Sequence, residues 1–193
     1  MNLGCVVMAA GGSRRFGANK LLQLFQGRPL YQWALEAIPA AEFSSVCVVT
    51  GYEPVASLAR RMGFRTVWNN RPEEGVSRTI RLGVEELMDC QGILFMTADQ
   101  PLLTAASISR LTAAFRERPQ GIAAAACQGK RGNPCLFPQR LYPELLALQG
   151  DVGGSAVIRA HGELLHLVEV PPLELADCDT AQTLQELEHG RKL

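Results

Sequence analysis

The residues with the clearest capacity for chemistry lie near the start of the chain. There the run VVMAAGGSRRFGANK passes from an apolar stretch at Val6 into a glycine-rich, cationic loop that closes on Lys20. Glycine lets a backbone turn sharply and bring its N–H groups close to an anion, while Arg14, Arg15 and Lys20 supply positive charge. Loop amides followed by a helix start form an anion site, and residues 21–24 read as the opening of such a helix. Phosphate handling is the chemistry this implies. Two common nucleotide fingerprints fail on spacing. A Walker A loop needs Lys and then Ser or Thr directly after its last glycine, whereas Gly17 is followed by Ala18, Asn19, Lys20 and Leu21. The dinucleotide pattern GxGxxG fails because Gly11 and Gly12 are adjacent and the next glycine is Gly17.

Carboxylates provide the second element. The apolar run GILFMT ends in Ala98, Asp99, Gln100 and Pro101. In an open α/β sheet ligands sit at the carboxyl ends of strands, so Asp99 falls on the functional edge. Magnesium takes one or two carboxylates together with substrate phosphates and water, which makes Asp99 the first candidate ligand, although an aspartate there also suits a turn. Near the end, ELADCDTAQTLQEL offers Asp179, with Asp177 two residues earlier. Asp179 also fits as the cap of a final amphipathic helix carrying Leu184 and Leu187. The segment NNRPEEGVSRTI, from Asn69, reads as a loop and then a helix, with Pro72 and Glu73 in its first turn and Ile80, Val84 and Leu87 on its buried face. Two more glycine-bearing loops, GKRGNPCLFP and LQGDVGGSAVIR, lead into a short strand and a helix.

Something must hold these groups in place. Apolar runs of strand length at 4–8, 45–50, 66–68, 92–97 and 122–126 alternate with helical patterns such as Leu30, Trp33, Ala34, Ala37, Ile38 and Val55, Leu58, Ala59, Met62. Alternation of this kind implies right-handed crossovers and an α/β fold of three layers, a mostly parallel sheet flanked by helices. The 193 residues suffice for one domain with a sizeable core, and 47% hydrophobic with 20% charged residues is ordinary globular usage. Nineteen basic residues balance nineteen acidic ones, so no broad field argues for nucleic acid or an anionic membrane. The six cysteines, at 5, 47, 90, 127, 135 and 178, form no CxxC pair and read as reduced core residues. With no export signal before Cys5 and no apolar run of spanning length, the cytoplasm is the expected compartment. His161, His166 and His189 show no ligand spacing and receive no chemistry.

The loop residues Ala9, Ala10, Gly11, Ser13, Arg15, Gly17 and Lys20, with Met8 in the leucine position, match the LAAGxSxRxGxxK signature of nucleotidyltransferases. Across nearly its whole length the chain resembles the molybdenum cofactor cytidylyltransferases, the MocA-like branch of the MobA-like family, with their Rossmann-like nucleotidyltransferase fold. The resemblance implies that residues up to about 100 bind nucleotide and those from about 101 onward bind the acceptor. It implies transfer of CMP from CTP to the terminal phosphate of molybdenum-loaded molybdopterin, with release of pyrophosphate and no covalent enzyme intermediate. Lys20 and Arg15 would be the catalytic cations. Nucleotide would be held by Ala9, Ala10, Gly11, Gly12, Ser13, Gly17 and Asp99, together with Gly75, Ser77 and Thr79 of a segment similar to NPxxxxGxxxS.

Asp99 stands in the family's DQP motif as the magnesium ligand. Asp179 matches the terminal DIDTPEDL, where it supplies the second carboxylate, although Ala181 replaces the usual proline and Gln182 the usual acid. Acceptor contacts fall to Gly132, Asn133, Pro134, Asp151, Gly153 and Gly154, in segments similar to GxPxxF and GDxG. AAG at Ala9 to Gly11 goes with cytidine, whereas guanylyl relatives carry AGG, and the Ala10 methyl would narrow the base pocket. Handover to a xanthine-dehydrogenase-type apoenzyme or its chaperone is also implied. The alternatives are a guanylyl or other nucleotidyltransferase acting on a different phosphate acceptor, a non-catalytic carrier that delivers cofactor, and a dinucleotide-binding regulator disfavoured by the failed glycine spacing.

Overall fold

The computed structural model describes residues 1–11 and 19–189. In chain order the strands are β1 (Leu3–Ala9), β2 (Leu24–Phe25), β3 (Arg28–Pro29), β4 (Ser45–Thr50), β5 (Arg65–Trp68), β6 (Gly92–Thr97), β7 (Ile122–Cys127), β8 (Lys130–Pro138) and β9 (Leu165–Glu169). The helices are α1 (Leu30–Glu36), α2 (Glu53–Arg61), α3 (Val76–Glu86), α4 (Ala105–Glu117), α5 (Tyr142–Leu146), α6 (Ser155–Ala160) and α7 (Ala181–Glu188). Seven strands form one sheet in the order β5-β4-β1-β6-β8-β7-β9. Its pairings are parallel except those of β8, which runs antiparallel to both β6 and β7. This is the expected mostly parallel sheet of a Rossmann-like α/β fold.

The central strands read as unbroken apolar runs because both of their faces are covered. Cys5 and Val7 of β1 pack with Leu35, Val55, Ala59, Leu111 and Phe115, so α1, α2 and α4 lie on one face. Val6 packs with Val84, Leu145 and Ile158, so α3, α5 and α6 lie on the other. A third, smaller cluster joins Leu184 and Leu187 of α7 to Phe25, Leu30 and Cys178. The last helix is thereby fastened to the first hairpin.

Three local expectations need correction. Residues 21–24 do not open a helix: Lys20–Leu22 make one 3₁₀ turn, after which the chain enters the β2–β3 hairpin through Gln26 (φ 49°) and Gly27 (φ 79°). Two adjacent left-handed residues close a two-residue hairpin loop, which a helix cannot contain. Pro72 and Glu73 do not form the first turn of α3; they sit in a separate 3₁₀ turn, and Gly75, with φ of 86°, breaks the chain before the helix starts. The short strand expected after the glycines of GKRGNPCLFP is instead the full length of β8.

Candidate functional site

The cleft lies at the carboxyl ends of β1 and β6. It has a volume of about 490 Å³ and is lined by Ala10, Gly11, Lys20, Thr79, Asp99 and Asp151, among others. That size suits a small-molecule ligand. Asn19 shapes the approach of Lys20: its side-chain oxygen accepts from the Leu21 N–H at 3.1 Å, capping the short 3₁₀ turn. Leu21 is buried in the core, so the turn is anchored on one side and sends Lys20 into the cleft.

Lys20 Nζ donates to Asp99 Oδ2 and, at 2.7 Å, to Asp179 Oδ1. The three side chains are 17%, 11% and 53% exposed, respectively. Burial alone would lower the lysine pKa, but the Asp99 charge, the hydrogen bonds to both carboxylates and the Asp179 charge outweigh it and raise it. Lys20 is therefore a fixed cation held between two carboxylates. Asp179 is not the cap of α7, because that position belongs to Thr180, whose hydroxyl accepts from Thr183 N at 3.1 Å. The Asp179 carboxylate is thus left for the cleft.

Asp99 and Asp179 are joined through the main chain as well, since Cys178 N donates to Asp99 O at 3.0 Å. Gln100, almost fully buried, faces Asp177 and donates weakly to Leu175 O. Desolvation of its carboxyl and the charges of Asp99 and Asp179 push Asp177 up to about 6. Negative charge is crowded here. Asp99 Oδ1 and Thr97 Oγ1 are buried without a hydrogen-bond partner among the described residues. A buried carboxylate oxygen with nothing to bind suits a hard cation, and one or two carboxylates supplemented by phosphate and water are what magnesium accepts. Among the described residues no group of three or more His, Cys, Asp or Glu could hold a metal alone.

Gly75 and Thr79 line the opposite wall. The Thr79 hydroxyl accepts from Asn69 Nδ2 at 3.1 Å. Ser77 is placed differently from its expectation: it is fully buried, its amide donates to Gly150 O at 3.1 Å and its hydroxyl accepts from Arg81. Gly75 has a structural reason to be glycine, because a Cβ there would stand 2.3 Å from the backbone of Gly150. Asp151 follows directly and lines the cleft, so the 75–77 and 150–151 segments form one wall.

Gly132, Asn133 and Pro134 do not line the cleft. The antiparallel register that pairs Phe95 with Cys135 carries them to the carboxyl end of β6, on the same edge as Asp99. Gly132 lies against Leu175, Gly153 near Val76 and Gly154 beneath the Phe137 ring. Ala9 is buried at the end of β1, and Ala10 and Gly11 border the cleft. Gly12, Ser13, Arg14, Arg15 and Gly17 lie outside the described residues. Asn19, Thr97 and Gln100 belong to the site and escaped sequence reasoning, although Gln100 carried a signal as the central residue of DQP. No helix among the described residues is long and apolar enough to cross a membrane.

A cationic side chain thus stands between two carboxylates at the ligand-binding edge of a Rossmann-like sheet, and the class to which the chain belongs is that of the nucleotidyltransferases. Residues 5–165 match the model of the MobA-like NTP transferase domain, and the chain belongs to that family. It is 26% identical to the purine catabolism protein PucB of Bacillus subtilis (strain 168), covering 97% of this chain and 95% of that one. Its identity to the nicotine blue oxidoreductase of Paenarthrobacter nicotinovorans is 27%, over 94% of each. In fold it is similar to a nucleotidyl transferase from Methanothermobacter thermautotroptrophicus (Mth528), with a TM-score of 0.82, 22% identity and coverage of 98% of this chain and 97% of that one.

Proposed function

We propose that this protein transfers CMP from CTP to the terminal phosphate of molybdenum-loaded molybdopterin, forming molybdopterin cytosine dinucleotide and pyrophosphate. The observation that carries the reading is the Lys20 ammonium held by Asp99 and Asp179 beside the cleft bordered by Ala10 and Gly11. A phosphate oxygen of the acceptor attacks the α phosphorus of CTP. The bond from that phosphorus to the bridging oxygen breaks, and pyrophosphate leaves with the electron pair. Such a transfer needs placement and charge stabilisation more than covalent chemistry. Lys20 offsets charge on the triphosphate, and Arg15 is assigned the same task. Magnesium, when bound, would neutralise the phosphates and draw them together, and Asp99 with Asp179 would hold it.

Nucleotide belongs to the part of the chain up to about residue 100. The base is assigned to the wall of Ala10, Gly75 and Thr79, and Ser77 acts there through the backbone that it ties to Gly150. The acceptor belongs to the later part, with Asp151 facing the cleft and Gly132, Asn133, Pro134 and Gly153 around its edge. The Ala10 methyl, in a position where guanylyl relatives carry glycine, favours a pyrimidine. PucB is named for purine catabolism, and xanthine is a purine, which supports delivery to a xanthine-dehydrogenase-type apoenzyme or its chaperone. Six free cysteines suit the reducing cytoplasm.

The test is pyrophosphate release by the purified protein with magnesium and molybdenum-loaded molybdopterin, offering CTP, GTP, ATP and UTP separately. Release with CTP alone, lost on chelation and restored by magnesium, is expected. Release with GTP would move the protein to guanylyl transfer. Silence with all four would overturn the reading, and NAD binding in that case would favour the redox chemistry for which the Paenarthrobacter relative is named.

A further inference from the structure

The chain leaving β1 is gripped at three successive points. Ala98 N, one residue before Asp99, donates to Met8 O at 3.3 Å. On the other side, Thr50 Oγ1 donates to Ala9 O at 2.9 Å, and Tyr52 OH donates to Gly11 O at 2.9 Å. The last two contacts share one offset, 41 positions, and that is the offset of the parallel β1–β4 ladder, in which Ala9 stands opposite Thr50. Backbone pairing between the two strands ends there. The Thr50 hydroxyl reinforces that last pair, and the Tyr52 hydroxyl prolongs the ladder by two more residues.

Thr50 is fully buried, and its Oγ1 also accepts from Tyr52 N at 3.1 Å, so the two hydroxyl residues brace each other. Ala10, which borders the cleft, is held between two fixed carbonyls. A peptide plane is rigid, so holding the Ala9 carbonyl fixes the plane that enters Ala10, and holding the Gly11 carbonyl one residue further on restricts the backbone between them and with it the direction of the Ala10 methyl.

We infer that Thr50 and Tyr52 are positioning residues: as a hydroxyl clamp they set the backbone of residues 9–11, and thereby the fit of nucleotide against Ala10. Neither needs to touch the reacting atoms. The functional half of this inference rests on the nucleotidyl-transfer reading, whereas the backbone half does not.

The experiment therefore has two arms. Amide hydrogen exchange of ¹⁵N-labelled protein without ligand should show Ala10 and Gly11 exchanging about three- to tenfold faster in Tyr52→Phe, the worth of one neutral hydrogen bond. The ring is retained, so the melting temperature should scarcely change. Steady-state kinetics on the same variant should raise KM for the nucleotide about three- to tenfold and leave kcat within twofold. Thr50→Val should raise KM further because it breaks two bonds, and Thr50→Ser should restore it. Unchanged exchange at Ala10 and Gly11 in both Tyr52→Phe and Thr50→Val overturns the clamp whatever the enzyme does. Faster exchange with unchanged KM overturns its role in nucleotide fit. If the wild-type protein turns over no nucleotide, the exchange arm still decides the backbone half.

Discussion

Asp99 and Asp179 bring the same functional group to the same ammonium, but the molecule holds them by different means. Asp99 follows β6, a central strand hydrogen-bonded to β1 and β8, and its side chain is only 11% exposed. Asp179 lies in a short segment before α7, is 53% exposed, and is kept in place by the Cys178–Asp99 backbone bond and the small apolar cluster of α7. One carboxylate is set by the sheet and moves only if the sheet does. The other is set by the docking of a terminal helix, so its position can be disturbed without touching the core. Electrostatically the buried one matters more, because charge interactions weaken as solvent screens them.

The largest effect should come from removing the partner the two share. Lys20→Ala should lower turnover about a hundred- to a thousandfold, the usual cost of one charge-stabilising donor, with an unchanged circular dichroism spectrum. Near-normal rates would break the assignment. Next, Asp99→Asn should cost about a hundred- to a thousandfold, and Asp179→Asn about ten- to a hundredfold. Steady-state kinetics and manganese titration in the presence of CTP check the order, and a reversed order would refute the contrast between buried and exposed carboxylates.

A smaller change should separate the two supports. Leu187→Ala hollows the cluster under α7 and should cost about 2 kcal/mol in urea denaturation, at the low end for buried leucine because the site is peripheral. Hydrogen exchange should quicken in α7 while β6 stays protected, and turnover should fall a few-fold. Equal loosening of β6 would show that the two regions unfold as one. The smallest effect is expected from Asp177→Asn, which should leave manganese affinity within about threefold, since the Asp177 carboxyl is largely desolvated and takes a hydrogen bond from Gln100. A tenfold loss would add it to the ligand set.

The same contrast explains how much could be read from the chain. β1, β4, β6 and β7 are apolar runs buried on both faces, and the alternation of strands with helical patterns exposes them, as it does the half-exposed edge strand β5. β8 is harder to see because Gly132, Asn133 and Pro134 interrupt it with residues that ordinarily mark turns. β9, LHLVE, leaves residues partly exposed and lacks a continuous apolar run. Asp99 is legible from its place after a strand. Asp179 is ambiguous because Thr180 beside it caps a helix equally well, and only three dimensions assign the cap to threonine. The β2–β3 hairpin did carry a signal in Gln26 and Gly27, masked by helix-forming leucines on the preceding side. Thr50 and Tyr52 left none, since the carbonyls they bind lie 41 positions away.

Lys20 meets Asp179 across 159 positions of chain. During synthesis, then, the lysine is made early and Asp99 becomes available midway, but the second carboxylate emerges only after every strand of the sheet. Domains fold as units while the chain is being extended. A nascent molecule can therefore assemble its parallel strands and still leave Lys20 with one anionic partner. Completion of the charge triad waits for the segment that carries Asp179, and a product cut short before that segment would be folded in its sheet but unfinished at its cleft.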